Sequence, residues 1–123
     1  MVIDEFRMTV AAVAASVPLT RNALAAHFGL GERDPVAHVS ALLCVAELVG
    51  NVVRHAYPDK PGDLEVLVRS DGVHLEMSVT DHGVGFPQPV NPGLGLQIVE
   101  ALSETVEYRR LQDGTRVIAH MVV

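Results

Sequence analysis

Apolar and polar residues alternate over residues 5–10 (EFRMTV), which predicts a strand with one buried face. Ser16-Val17-Pro18 then opens a helix whose apolar stripe is Leu19, Ala23, Leu24, Ala26 and Phe28. Gly29, Gly31 and Asp34 make a loop. Asp34-Pro35 reads as a second helix start, with Asp capping the first amides and Pro at the first helical position. From there Val36, Val39, Leu43, Ala46, Gly50 and Val53 recur at helical spacing, which predicts that this face is buried. The helix should run to about Tyr57, where Pro58 ends it. After a turn at 59–62, residues 64–69 and 73–80 read as two strands joined at Asp71-Gly72. Three prolines and four glycines from Asp81 to Gly95 preclude regular structure there. Residues 96–102 read as a short apolar helix, and 106–111 and 116–122 as a hairpin turning at Asp113-Gly114. This order predicts an α+β two-layer sandwich, a mostly antiparallel sheet covered on one face by three helices. There is no internal repeat and no low-complexity segment.

Composition narrows the classes without naming one. At 123 residues, residues 1–123 are expected to form one domain, and 49% hydrophobic with 20% charged residues excludes disorder. A net charge of -6 argues against direct nucleic-acid binding, which relies on clustered Lys and Arg. Only Arg109-Arg110 are adjacent, and a surface strand accounts for them. No apolar run is long enough for a membrane span. Asp4 and Glu5 precede any apolar run, so no secretory signal is expected and the cytoplasm is the default compartment. Cys44, the sole cysteine, falls inside the central helix and reads as a small buried hydrophobe. The histidines show no metal-ligand spacing.

The central helix holds the first chemical signal. In ELVGNVVRHAY, Glu47, Asn51 and His55 recur every fourth residue with Arg54 beside them, so the side chains stack in one row. Such groups cost several kcal/mol as an order of magnitude if buried without partners, so they should face a cleft or a ligand. Taken alone, the row reads better as the solvated stripe of an amphipathic helix, and it is the glycine pairs downstream that reverse that reading.

Two glycine pairs follow. Asp81-His82-Gly83-Val84-Gly85 comes directly after a strand, where an Asp backed by glycines can accept a hydrogen bond from a flat ligand. Gly93-Leu94-Gly95-Leu96 opens a helix, where exposed amides and the helix dipole suit a phosphate. Neither is a dinucleotide fingerprint, since a third glycine is missing and no strand leads straight into Gly93, and no Walker-type phosphate loop is present.

In this order the three segments resemble the Bergerat-fold (GHKL, histidine-kinase-like) ATPase superfamily of gyrase, histidine kinases and MutL. ELVGNVVRHAY resembles its N box, DHGVG its adenine-side glycine box and GLGLQIV its phosphate-side glycine box. The nearest resemblance is to the stand-alone serine/threonine kinases that act as anti-sigma factors. A strand and a helix precede the N box, and VEYRRLQDGTRV resembles that family's C-terminal pair of strands. No histidine-bearing dimerisation helices upstream and no transducer domain downstream are expected.

The resemblance implies ATP and Mg²⁺ as ligands and assigns roles by position. Glu47 resembles the general base, and Asn51 the residue holding Mg²⁺ against the triphosphate. Asp81 resembles the acceptor of the adenine amino group, with Gly83 and Gly85 beside the base. Gly93, Leu94, Gly95 and Leu96 resemble the phosphate cradle. Arg54 and His55 match positions commonly filled by these residue types near the N box, and His55 is equally readable as a structural histidine. The implied partners are a sigma factor, sequestered by the kinase, and an antagonist of the STAS class phosphorylated on serine; a homodimer is also implied.

Two positions depart from the family pattern. Residues 86–92 (FPQPVNP), where a nucleotide lid belongs, are few and contain no Lys or Arg, which leaves Mg²⁺ and Arg54 to meet the transition-state charge. Gly50 stands where Thr is common. Two other readings therefore accompany the kinase: a non-catalytic binding module of the same fold, and the detached catalytic domain of a histidine kinase, which GLGLQIV also resembles.

Overall fold

Alternation in the strands and a continuous apolar line on the central helix build one core between a sheet and a helical layer. The computed structural model describes residues 3–29, 35–84 and 93–122. In chain order these form β1 (Asp4–Ala11), α1 (Ser16–Phe28), α2 (Pro35–His55), β2 (Asp63–Ser70), β3 (His74–Asp81), α3 (Leu94–Leu102), β4 (Thr105–Leu111) and β5 (Gly114–Val122). The strands lie in the order β1-β2-β3-β5-β4 with every neighbouring pair antiparallel. This is the expected two-layer α+β sandwich.

Register explains where the core ends. Phe6, Val68, Met77, Ala119 and Val106 form one cross-strand row, and Met8, Val66, Val79, Val117 and Tyr108 the next. These rows point toward the helices, where most of their side chains are buried. The following row reads Val10, Leu64, Asp81, Thr115. On the same buried face, two apolar residues give way to a carboxyl and a hydroxyl. That row marks the site end of the sheet.

The buried face of α2 differs from the expected one. Ala41, Cys44, Val45, Leu48, Val49 and Val52 fill the core, followed by Ala56 just past the helix end, whereas Val39 and Leu43 are 61% and 38% exposed. The reason is composition: α2 is apolar nearly all round, so helical spacing alone does not select a face. Val39 and Leu43 lie on the same side as Glu47, Gly50 and Arg54, continuing the polar row rather than opposing it. In α1, the line facing the core is Ser16, Thr20 and Leu24, while Leu19 is exposed. Small polar side chains there allow close packing against the neighbouring elements, a pattern that an apolar-stripe reading passes over. The helix ends at Gly29, whose left-handed backbone (φ 61°) lets its N–H reach the Ala25 carbonyl. The expected Asp34 cap and the Val36 side chain lie outside the described residues.

Candidate functional site

α2 organises two clusters, one around its middle and one at its C-terminal end. At the middle, Glu47 is partly buried against the first turn of α3: a Cβ placed on Gly95 would collide with Glu47 Oε2. Glycine at 95 is what allows this approach. Arg54 extends back along α2 and brings Nη2 to 3.9 Å from Glu47 Oε2. Asn51, partly buried, lies one turn beyond Glu47 on the same side of the helix. Gly93 is the N-cap of α3 in extended conformation and supplies no side-chain cap, Leu94 is exposed, and Leu96 anchors the helix in the core. α3 therefore presents its N-terminal amides beside the Glu47 cluster, an arrangement suited to an anion. Its orientation over β4 is held by the Tyr108 hydroxyl, which donates to Glu100 Oε1 at 2.6 Å. Burial, and then that carboxylate, raise the Tyr108 pKa above the ordinary phenol value.

At the C-terminal end of α2, Tyr57 acts as a clamp. Its hydroxyl donates to the Asp63 carbonyl at 2.6 Å and accepts the His82 N–H at 2.8 Å, tying the start of β2 to the segment leaving β3. The Val84 N–H donates to the Ala56 carbonyl at 3.0 Å, and a Cβ on Gly83 would strike that same carbonyl. Residues 82–84 therefore cross the end of α2 in backbone contact. Only a residue without a side chain fits at 83.

Between these contacts sits Asp81, 6% exposed, with Oδ1 accepting the Gly83 N–H at 2.9 Å. Burial pushes its carboxyl above the ordinary value of 3.8, more than the Gly83 N–H and the neighbouring His82 draw it down. Directly across the ladder, Thr115 is 3% exposed and its Oγ1 has no hydrogen-bond partner among the described residues. A buried hydroxyl without a partner beside a buried, under-satisfied carboxyl is costly unless something else completes the pair. A flat ligand offering both a donor and an acceptor fits that set, and a purine edge carrying an exocyclic amine is such a ligand.

The sequence-predicted residues thus divide. Glu47, Arg54 and Gly95 are brought together; Asp81 and Gly83 are brought together; Asn51 lies between the two groups along α2. His55 closes α2 with its ring exposed and is not a core histidine. Gly85 lies outside the described residues. Tyr57 and Thr115 were missed. Tyr57 was legible only as the end of a motif, and Thr115 gains meaning only from its register with Asp81.

Other chemistry in the chain is accounted for more simply. Cys44 is buried and its thiol is pushed up to about 11, chiefly by burial, so it behaves as a core residue. Among the described residues no group of three or more His, Cys, Asp or Glu side chains is arranged to hold a metal ion, and no helix is long and apolar enough to cross a membrane. The outer face of the sheet carries Arg7 3.5 Å from Glu65 and Arg109 2.6 Å from Glu107, a solvated face of mutually paired charges.

The model of the histidine kinase-like ATPase domain family matches residues 3–121. Among solved structures, the chain is similar to that of the RsbU and RsbW domains of Rv1364c from Mycobacterium tuberculosis, at 21% identity and a TM-score of 0.70. The similarity covers 96% of this chain and 32% of that one, so the chain spans about a third of its neighbour. At this identity the likeness speaks for the fold. No protein among the curated ones matches.

Proposed function

Because this chain belongs to the histidine kinase-like ATPase domain family, we propose that residues 1–123 form one ATP-binding unit. In this reading it is a cytoplasmic anti-sigma-type regulator that phosphorylates a serine of a STAS-class antagonist protein and sequesters a sigma factor, working as a homodimer. The observation that carries the nucleotide reading is the pairing of the Asp81 carboxyl, which accepts one hydrogen bond, with the Thr115 hydroxyl, which has no partner among the described residues. That pair lies at one end of α2, and the Glu47–Gly95 contact lies toward its middle. From Glu47 to His55 the rise along α2 is about 12 Å, which suits an adenine nucleotide stretched from base to terminal phosphate.

Each residue has a role that its surroundings support. Asp81 accepts a hydrogen bond from the adenine amino group through the carboxylate capacity that Gly83 does not use, and Thr115 meets a neighbouring ring atom. Gly83 keeps the backbone tight against α2, and Gly85 belongs beside the base. The amides of residues 93–96 face the phosphates. Asn51 offers a hard amide oxygen to Mg²⁺, which supplies charge neutralisation on the triphosphate when bound. Glu47 takes the proton from the incoming serine hydroxyl as its oxygen bonds to the terminal phosphorus, and ADP departs. The anti-sigma circuit is supported by the motif resemblance and by the likeness to a chain that carries an RsbW domain.

The test is transfer of label from ATP to the serine of a cognate STAS-class antagonist. Acid-stable phosphoserine that disappears in Glu47→Ala is the expected result. Acid-labile label on a histidine-bearing partner would instead favour a detached histidine-kinase domain. The absence of Lys and Arg from residues 86–92 favours one further reading, a module that binds nucleotide and partner without transfer. Intact ATP binding with no transfer would select it.

A further inference from the structure

Asp81 selects a base edge only if its carboxyl is held in one direction, and the backbone on either side of it decides that. Upstream, Asp81 is paired with Leu64 of β2 and Thr115 of β5. Downstream, the peptide between Asp81 and His82 is gripped on both sides. Its N–H donates to the Tyr57 hydroxyl at 2.8 Å. Its carbonyl lies so close to Gly114 that a Cβ there would collide with the Asp81 oxygen. A peptide group is planar, so holding both sides fixes its plane and with it the course of the chain leaving the Asp81 Cα.

The contacts that hold residues 82–84 are not equal. The His82 ring lies 3.3 Å from an Asp113 carboxylate oxygen, but these side chains are 62% and 76% exposed, so the pair contributes little in water. The Gly83 N–H bond to Asp81 Oδ1 stays within the segment and moves with it. The Val84 N–H bond to the Ala56 carbonyl acts further along the chain. Tyr57 acts on the peptide next to Asp81 itself. Its side chain is half-buried, and its hydroxyl accepts from His82 while donating to the Asp63 carbonyl at 2.6 Å. The two bonds run in one direction, so each strengthens the other. The ring lies over Gly62, where any Cβ would strike it, and the Gly62 carbonyl accepts the Ala12 N–H at 2.8 Å. Tyr57 thus joins the end of α2 to the end of β1, the start of β2 and the end of β3.

We propose that Tyr57 is a positioning residue for base recognition: by holding the Asp81–His82 peptide it presets the Asp81 carboxyl, and so sets the preference for adenine over guanine while its own hydroxyl stays committed to the backbone. This rests on the nucleotide reading above and deepens it. Adenine brings an exocyclic amine to the Asp81 acceptor, whereas guanine brings a carbonyl oxygen that leaves the carboxylate unpaired. The discrimination depends on direction, and a carboxyl free to swing away loses it.

Calorimetric titration of the intact chain with ATP and with GTP, in the presence of Mg²⁺, tests this. The wild type should bind ATP about thirtyfold more tightly than GTP, and Tyr57→Phe should reduce that ratio to about threefold by weakening ATP alone. Phenylalanine keeps the ring over Gly62 and removes only the hydroxyl. In an Asp81→Ala background, Tyr57→Phe should leave the ratio unchanged. Amide hydrogen exchange gives a readout that needs no variant: the His82 N–H should be protected in the nucleotide-free wild type as well as with ATP bound. A thirtyfold ratio that survives Tyr57→Phe, or equal losses of ATP and GTP affinity, overturns the positioning role and leaves the nucleotide site standing. So does a His82 N–H protected only when ATP is bound, and an effect of Tyr57→Phe on the ratio that persists at full size without the Asp81 carboxyl. Failure of the wild type to bind either nucleotide overturns this proposal and the functional reading together.

Discussion

Asp71 and Asp81 flank the same strand, and the fold treats them in opposite ways. Asp71 sits in the β2–β3 turn. Its Oδ1 accepts the N–H groups of Val73 at 2.9 Å and His74 at 2.6 Å, and Oδ2 lies 3.1 Å from His74 Nδ1. These partners, the His74 N–H first, hold its pKa down to about 2. Asp81, at the far end of β3, is buried beside one backbone donor and a hydroxyl with no partner among the described residues, and burial raises its pKa. One carboxylate completes a turn from its own neighbours. The other keeps a single side-chain hydrogen bond among the described residues. Two aspartates ten positions apart in sequence therefore mark a turn that satisfies itself and the end of the sheet proposed to face the ligand.

The comparison breaks if changes at the site end remove the fold rather than the function. The largest expected effect is that of Glu47→Ala, which should lower serine phosphorylation by about 10²- to 10⁴-fold, the usual contribution of a general base. Phosphoserine yield against time measures it, and an unchanged rate would remove Glu47 from the chemistry. Next, Asp81→Asn should weaken ATP binding by about 1.5–3 kcal/mol, roughly ten- to a hundredfold, while stabilising the free protein at neutral pH. The sign follows from the raised pKa. The folded state holds the Asp81 proton more tightly than the unfolded chain, so stability falls as pH rises from 3.8 through the folded value. Asparagine carries no charge to bury. Calorimetry and thermal unfolding at pH 7 together check the opposite signs.

Gly83→Ala should cost about 1–3 kcal/mol of stability, because the new methyl meets the Ala56 carbonyl and not a movable side chain. Denaturant titration reads this directly, and a neutral result would mean that the crossing of residues 82–84 over α2 yields without cost. The smallest effect belongs to Asp71→Asn, which should lower the thermal midpoint slightly at pH 7 and leave ATP affinity alone. Here the pKa is lowered, so the contribution is fully present above 3.8 and is lost as pH falls through about 2. The difference between variant and wild type should vanish over that interval. A loss of ATP affinity in Asp71→Asn would erase the contrast between the two ends.

How far the sequence foretold this molecule depended on whether a signal was local. Turn residues such as Asp71-Gly72 and Asp113-Gly114 speak for their own neighbourhoods, so the order of strands and helices was legible. Asp81 was legible for the same reason, since glycines follow it directly. The buried face of α2 was not. With Leu, Val, Ala and Cys on nearly every side, only contact with the sheet decides that Val45 and Leu48 go inward while Val39 stays out. Thr115 lies 34 positions from Asp81 and becomes its neighbour only through the β3–β5 register. Tyr57 is similar: its partners Asp63 and His82 come from two different strand ends. Chemistry assembled across the sheet is set by pairing, and pairing is a property of the whole fold.

The central claim is that Asp81 and Thr115 at one end of α2, with Glu47 and Gly95 toward its middle, form an adenine nucleotide site. Titration of the purified protein with ATP, with and without Mg²⁺ and alongside Asp81→Asn, tests it most directly. The account predicts Mg²⁺-dependent binding in the micromolar range, weakened at least tenfold by the substitution. Binding absent up to millimolar ATP, or binding indifferent to Asp81, would contradict it.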